Sequence, residues 1–172
     1  MQIRLATRAD EPAIQNVIRT CYEILDWGWF PDGYHADLYD IQEHYFDRGN
    51  LFYVGEVDGE VVGTVAVDFM PALPDGEGTT MHDGVIRVAN ADCSLERLYV
   101  LPEARGKGLG IALWQVTIDV ARERGCQVME IWSDKILEDA HRLYEKRGAI
   151  RVGERLCHDP SQSPEWGMAF KL

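Results

Sequence analysis

The sequence predicts a single α/β domain over residues 1–172, built on a mixed, mostly antiparallel sheet with flanking helices. Three observations carry that expectation. A chain of 172 residues is the size one domain usually occupies and is long enough to bury a core without staples. Two β-rich runs, LFYVGEV and VVGTVAVDF, are joined by Asp58-Gly59, an antiparallel hairpin signal. Further on, strand and helix patterns alternate, which requires a parallel pair and a right-handed crossover.

The elements follow in order. Ile3 to Leu5 alternates like a strand. Asp10 is placed as an N-cap, with Pro12 in the first turn and Ile14, Val17, Ile18, Cys21 and Tyr22 at helical spacing. WGWFPDGY (27–34) is an aromatic loop, and a second helix with an acidic polar face is expected over 36–46. The hairpin occupies 51–70. Residues 71–93 form a long loop, either functional or carrying a short extra strand at 85–88. SLERLYV is a strand that stops at Pro102. The turn 105–110 then opens a helix with Ile111, Trp114, Ile118 and Ala121 on one stripe, stopped by Gly125. QVMEIW is a second buried strand, and 137–146 a helix ended by Gly148. Residues 150–156 and 165–171 read as closing strands.

Composition excludes several functions. The net charge of −12 argues against a nucleic-acid partner, because phosphate contact rewards basic surface. No apolar run approaches membrane-spanning length, and the polar N-terminus gives no leader signal, so a cytoplasmic protein without membrane contact is expected. Four scattered cysteines and five histidines show no metal-ligand spacing, and no metal is expected. The charge is also uneven. Between residues 31 and 96 only Arg48 and Arg87 stand against fourteen acids, whereas 97–172 is nearly neutral. Either the acids serve solubility, or the two regions meet ligands of opposite sign.

The turn Arg105-Gly106-Lys107-Gly108-Leu109-Gly110 carries the most information. Its glycines permit positive φ and close backbone approach, and the helix behind it offers free N–H groups and a positive dipole end to a phosphate. Neither the dinucleotide pattern nor the P-loop fits. The segment instead resembles the acyl-CoA motif of the GNAT N-acetyltransferase superfamily, a strand ending V-x-P followed by R/Q-x-x-G-x-G/A. Here these are Val100-Leu101-Pro102 and Arg105-x-x-Gly108-x-Gly110. A second family block, L-Y-E-K-x-G, stands at Leu143 to Gly148. One departure is Leu137, where many members carry asparagine three residues before the helix alanine, here Ala140.

The resemblance covers nearly the whole chain and implies a GNAT-like three-layer fold with splayed parallel central strands. Segments 25–95 would serve the acceptor and 94–148 acyl-CoA. It also implies roles. The amides of Gly106 to Gly110 with Ile111 would hold the pyrophosphate, assisted by Arg105 and Lys107. The backbone of Leu98, Tyr99 and Val100 would pair with pantetheine, and the Leu98 N–H would polarise the thioester carbonyl. Tyr144 would protonate or stabilise the departing thiolate. Glu96, on the strand face shared by 94, 98 and 100, is the candidate base; a salt bridge to an arginine is its structural alternative. His82, Asp83 and Asp68 are further bases that the sequence does not place. Trp27, Trp29, Phe30 and Tyr34 either stack on a cationic acceptor or fill space between helices.

The expected activity is transfer of acetyl from acetyl-CoA to a primary amine, a small cationic one, by direct attack in a ternary complex. Acylation of a protein lysine or N-terminus is one alternative; a non-catalytic acyl-CoA-binding module is another. Quaternary state is left open, a homodimer included.

Overall fold

In a computed structural model describing residues 1–172, nine strands and four α-helices form a mixed α/β fold. In chain order these are β1 (Gln2–Leu5), α1 (Glu11–Ile24), α2 (Ile41–His44), β2 (Leu51–Val57), β3 (Glu60–Phe69), β4 (Thr79–His82), β5 (Val85–Val88), β6 (Cys93–Val100), α3 (Leu109–Glu123), β7 (Val128–Asp134), α4 (Glu138–Lys146), β8 (Ile150–Leu156) and β9 (Pro164–Lys171). Seven strands make one sheet in the order β1-β2-β3-β6-β7-β9-β8, and β4-β5 is a separate hairpin. The β6–β7 pair is parallel; β1–β2, β2–β3, β7–β9 and β8–β9 are antiparallel. No helix is long and apolar enough to cross a membrane.

The chain divides into two compact units: Met1–Asp68 with Glu96–Asp119, and Phe69–Leu95 with Val120–Leu172. In the first, α1 buries Ile14, Val17, Ile18, Cys21 and Tyr22, the stripe its 3.6-residue period lays down. Ile14, Ile18 and Tyr22 join Phe52, Val54 and Ala66 in one core cluster. Asp10 does not cap α1 with its side chain. Its carboxylate accepts from the Thr7 N–H and hydroxyl and pairs with Arg4, closing the short turn that precedes the helix. The single helix expected over 36–46 is three short pieces. Asp40 leaves the helical region, at φ −151° and ψ 79°, and accepts from the Glu43 N–H, so it ends one turn and caps the next.

Glycine pairing sets how closely α3 approaches the sheet of this unit. Gly55 and Gly63 are register partners on β2 and β3. A Cβ on Gly55 would stand 2.6 Å from Leu109, and one on Gly63 would meet Leu113 at 2.9 Å and the Tyr99 carbonyl at 3.3 Å. The first turn of α3 therefore rests on bare backbone. Gly63→Val should lower stability by about 1–3 kcal/mol through overpacking against that carbonyl, measured as a fall in the thermal midpoint. An unchanged midpoint would mean that α3 shifts freely.

In the second unit, the β6–β7 parallel register runs only from Cys93↔Met129 to Leu95↔Ile131. The backbone of Glu96 to Val100 is not committed to that ladder. The segment expected either as a functional loop or as carrying one short extra strand at 85–88 carries two strands, β4 and β5, turning at Asp83-Gly84 with φ of 48° and 78°. Those angles are what a type I′ hairpin demands. Glu130 on β7, almost wholly buried, accepts from Arg87 and from the Val88 N–H.

Candidate functional site

The turn before α3 has the conformation a backbone anion cradle needs. Gly106 and Gly108 sit at φ 73° and 86°, in the left-handed region, and a Cβ on either would enter open space. The first bond of the helix backbone here runs from the Ala112 N–H to the Gly108 carbonyl. The amides of Leu109, Gly110 and Ile111 therefore belong to the orphan set of the helix start. Ile111 is exposed. Arg105 donates from Nε to the Val100 carbonyl at 2.9 Å, and Lys107 Nζ donates to the Glu103 carbonyl at 3.0 Å. Both cations thus brace the loop from within. A diphosphate fits this arrangement: the orphan amides of the helix start follow two glycines beside open space, and the same turn carries the positive charges of Arg105 and Lys107.

The strand that precedes the turn is distorted. Arg97 has φ 52°, the single non-glycine residue at positive φ inside a strand. Its carbonyl accepts from the Thr64 hydroxyl at 2.8 Å. Its guanidinium, deeply buried, donates to both Asp37 oxygens at 3.0 and 2.8 Å and to the Tyr34 carbonyl at 2.7 Å. It also lies 4.7 Å from the Tyr34 ring centroid. The strict alternation assumed over 94–100 is interrupted here. Leu98 and Val100 remain half-buried on the strand, and Tyr99 places its hydroxyl 3.4 Å from that of Tyr22.

Around this distortion gather three carboxylates that the sequence does not bring together. Asp37 accepts from Arg97 and from the Tyr45 hydroxyl. Asp68, at the end of β3, has its carboxyl pushed up to about 7, first by burial and then by the charges of Glu96 and Asp37, against the opposing pull of Arg97 and Arg48. Its Oδ1 is buried without a hydrogen-bond partner. Glu96 thus has a carboxylate as its electrostatic neighbour. Of the other suggested bases, His82 and Asp83 pair with each other at 3.4 Å on the exposed β4–β5 turn.

The aromatic segment packs against the first unit's core. Trp27 and Trp29 meet Tyr22 edge-on, and Trp29 stacks on buried His35 at 4.0 Å while Arg19 lies 4.9 Å from its ring centroid. Phe30 lies parallel to the same imidazole at 6.4 Å. Two of the four rings, Trp29 and Tyr34, therefore already hold an arginine of the protein itself.

In the second unit, Tyr144 on α4 is buried, and burial pushes its phenol well above the usual value. His141, one turn earlier, lies 3.1 Å from the Ser133 hydroxyl. Cys93 is fully buried with its thiol held protonated by burial, so it offers no ready nucleophile.

Comparison with known proteins bears on this geometry. Residues 18–149 match the family described as Acetyltransferase (GNAT) family. The chain is 32% identical over 151 residues to the uncharacterized N-acetyltransferase YjgM of Escherichia coli K12, covering 85% of this chain and 80% of that one. It is 28% identical over 148 residues to the aminoalkylphosphonate N-acetyltransferase of Salmonella typhimurium, covering 86% and 83%. The structure superposes with a TM-score of 0.68 on yncA, a putative acetyltransferase from Salmonella typhimurium solved with its cofactor acetyl-CoA, at 23% identity and covering 100% and 94%. Against a GNAT-family acetyltransferase from Staphylococcus aureus Mu50 the TM-score is 0.75 at 16% identity, covering 99% and 98%.

Proposed function

Since this chain belongs to the GNAT acetyltransferase family and is an acyl-CoA-dependent N-acetyltransferase, we propose that it acetylates a small cationic amine, held for attack by Asp68 and Glu96 beside Arg97. One observation supports this reading above the rest. Asp68 keeps an unpartnered buried oxygen beside a second carboxylate, an arrangement that favours an incoming cation or a shared proton. A relative named for an aminoalkylphosphonate is compatible with a small amine as acceptor; here the surplus of acids between 31 and 96 favours a positively charged one.

When bound, acetyl-CoA supplies an activated thioester carbonyl and a thiolate leaving group. The amides of Gly106 to Ile111 would hold the diphosphate, and the backbone of Leu98 and Tyr99, past the end of the β6–β7 ladder, would pair with the pantetheine amides together with the Val100 N–H. The Leu98 N–H donates toward the carbonyl oxygen. Asp68 or Glu96 accepts the ammonium proton, directly or through water. Tyr144, kept protonated by burial, donates toward sulfur. Trp27, Trp29, Phe30 and Tyr34 wall the acceptor side and exclude water.

The two carboxylates make distinct predictions. With an Asp68 carboxyl near pH 7, the base is protonated and idle below that pH, and kcat/KM should rise as pH passes through it. If Asp68 is the base, Asp68→Asn should abolish that limb and lower kcat/KM by about 10²-fold. Glu96→Gln removes the like charge, so the limb should move to lower pH if Asp68 is the base, whereas kcat/KM should fall by about 10²-fold if Glu96 is. A profile untouched by either substitution would remove both from the mechanism. Release of coenzyme thiol with a panel of diamines and neutral amines tests the acceptor class; preference for neutral amines would overturn it.

A further inference from the structure

We propose that Asp92, Cys93 and Cys126 form a binding site for one thiophilic divalent cation of the zinc class, apart from the acetyl-transfer chemistry. The two sulfurs and one carboxylate oxygen lie within 4.8 Å of one another. With metal–sulfur bonds of about 2.3 Å, a tetrahedral ion holds two thiolates about 3.8 Å apart, so closure asks for less than about 1 Å of movement per ligand. Two soft thiolates with one carboxylate suit zinc or cadmium and disfavour calcium and magnesium.

The backbone fixes these ligands in place before any ion arrives. The Asp92 carboxylate accepts from the Gln127 N–H at 2.8 Å and the Val128 N–H at 3.1 Å, and the Asp92 N–H donates to the Val128 carbonyl at 3.0 Å. These bonds tie the residue before β6 to the residues after α3. Gly125, at φ 78°, turns the chain so that the Cys126 N–H donates back to Ala121. Orientation of a ligand carboxylate by main-chain donors is the outer-layer support that metal sites require.

An approach path is present as well. Asp92 and Cys126 border a cavity of about 360 Å³, with Phe69, Met70 and Arg124 among its other walls, while Cys93 is fully buried and outside its lining. A three-ligand ion there keeps its fourth position toward the cavity, for water or an added ligand. Loading forms two metal–sulfur bonds and one metal–oxygen bond and releases both thiol protons to solvent. The resulting single negative charge faces Arg124, whose guanidinium is held 4.0 Å from the Phe69 ring centroid.

The test uses the reduced, full-length chain titrated with Co²⁺ without oxygen, then with Zn²⁺ as competitor. One Co²⁺ per chain should bind with sulfur-to-cobalt charge-transfer absorption, and Zn²⁺ should displace it. Cys126→Ser, at a partly exposed position, should weaken binding by about 10–100-fold or more and cut the charge-transfer band. Cys157→Ser, outside the cluster, should leave both unchanged. Saturating Zn²⁺ should also slow iodoacetamide labelling of Cys126 by about tenfold or more. Absence of charge-transfer absorption in the folded wild-type chain, a band that survives Cys126→Ser, or conversion of Cys93 and Cys126 to a disulfide at the same rate with and without Zn²⁺ would overturn the site.

Discussion

Gly108→Val is expected to abolish measurable acetyl-CoA binding while leaving the chain folded. The residue sits at φ 86°, where a β-branched side chain costs about 1–3 kcal/mol. A Cβ there meets no atom of the protein within 4 Å, so the added volume falls in the space assigned to the diphosphate rather than in the core. Displacing that group forfeits hydrogen bonds to a charged ligand worth about 1.5–3 kcal/mol each. Loss of two predicts an affinity drop of about 10²–10⁴-fold. Titration calorimetry reads the affinity, and a thermal melt confirms the fold. Retained affinity would move the diphosphate elsewhere.

Tyr144→Phe should lower kcat by about 10–100-fold with the acetyl-CoA dissociation constant nearly unchanged. The size follows from the environment. Burial raises the phenol above the thiol it faces in the proposed mechanism, so complete proton transfer is uphill and the donor acts chiefly by hydrogen bonding to developing thiolate charge. One such bond is worth about 1.5–3 kcal/mol, which sets the range. Pre-steady-state thiol release separates the chemical step from coenzyme dissociation. An unaltered rate of that step would exclude Tyr144 from the leaving-group role.

The elements most legible in the sequence are those whose cause is local. Asp58-Gly59 announces its hairpin because those two residues accept φ of 54° and 85° at little cost. Gly125 and Gly148 stop their helices at φ 78° and 103° for the same reason. The turn at 105–110 is legible because it is one contiguous stretch. By contrast, the 36–46 helix fails where Asp40 bonds its own neighbouring backbone, a competition that hydrophobic spacing does not register. The carboxylates of Asp37, Asp68 and Glu96 come from three elements, and only the fold brings them together. Cys93 and Cys126 are equally invisible to motif spacing. No local signal marks Arg97 as left-handed either, since arginine has no preference for that conformation.

Arg97 keeps its unfavourable geometry through two anchors, the Thr64 hydroxyl on its carbonyl and the Asp37 carboxylate on its guanidinium. Neither anchor need ever meet an acceptor, yet together they hold the backbone turn from which the neighbouring side chains of β6 project. Acceptor choice in descendants of this enzyme can consequently drift through changes at 37 or 64 alone, with every pocket-lining residue conserved. Engineering for a new amine has a handle at those two positions that a search confined to the pocket walls would pass over.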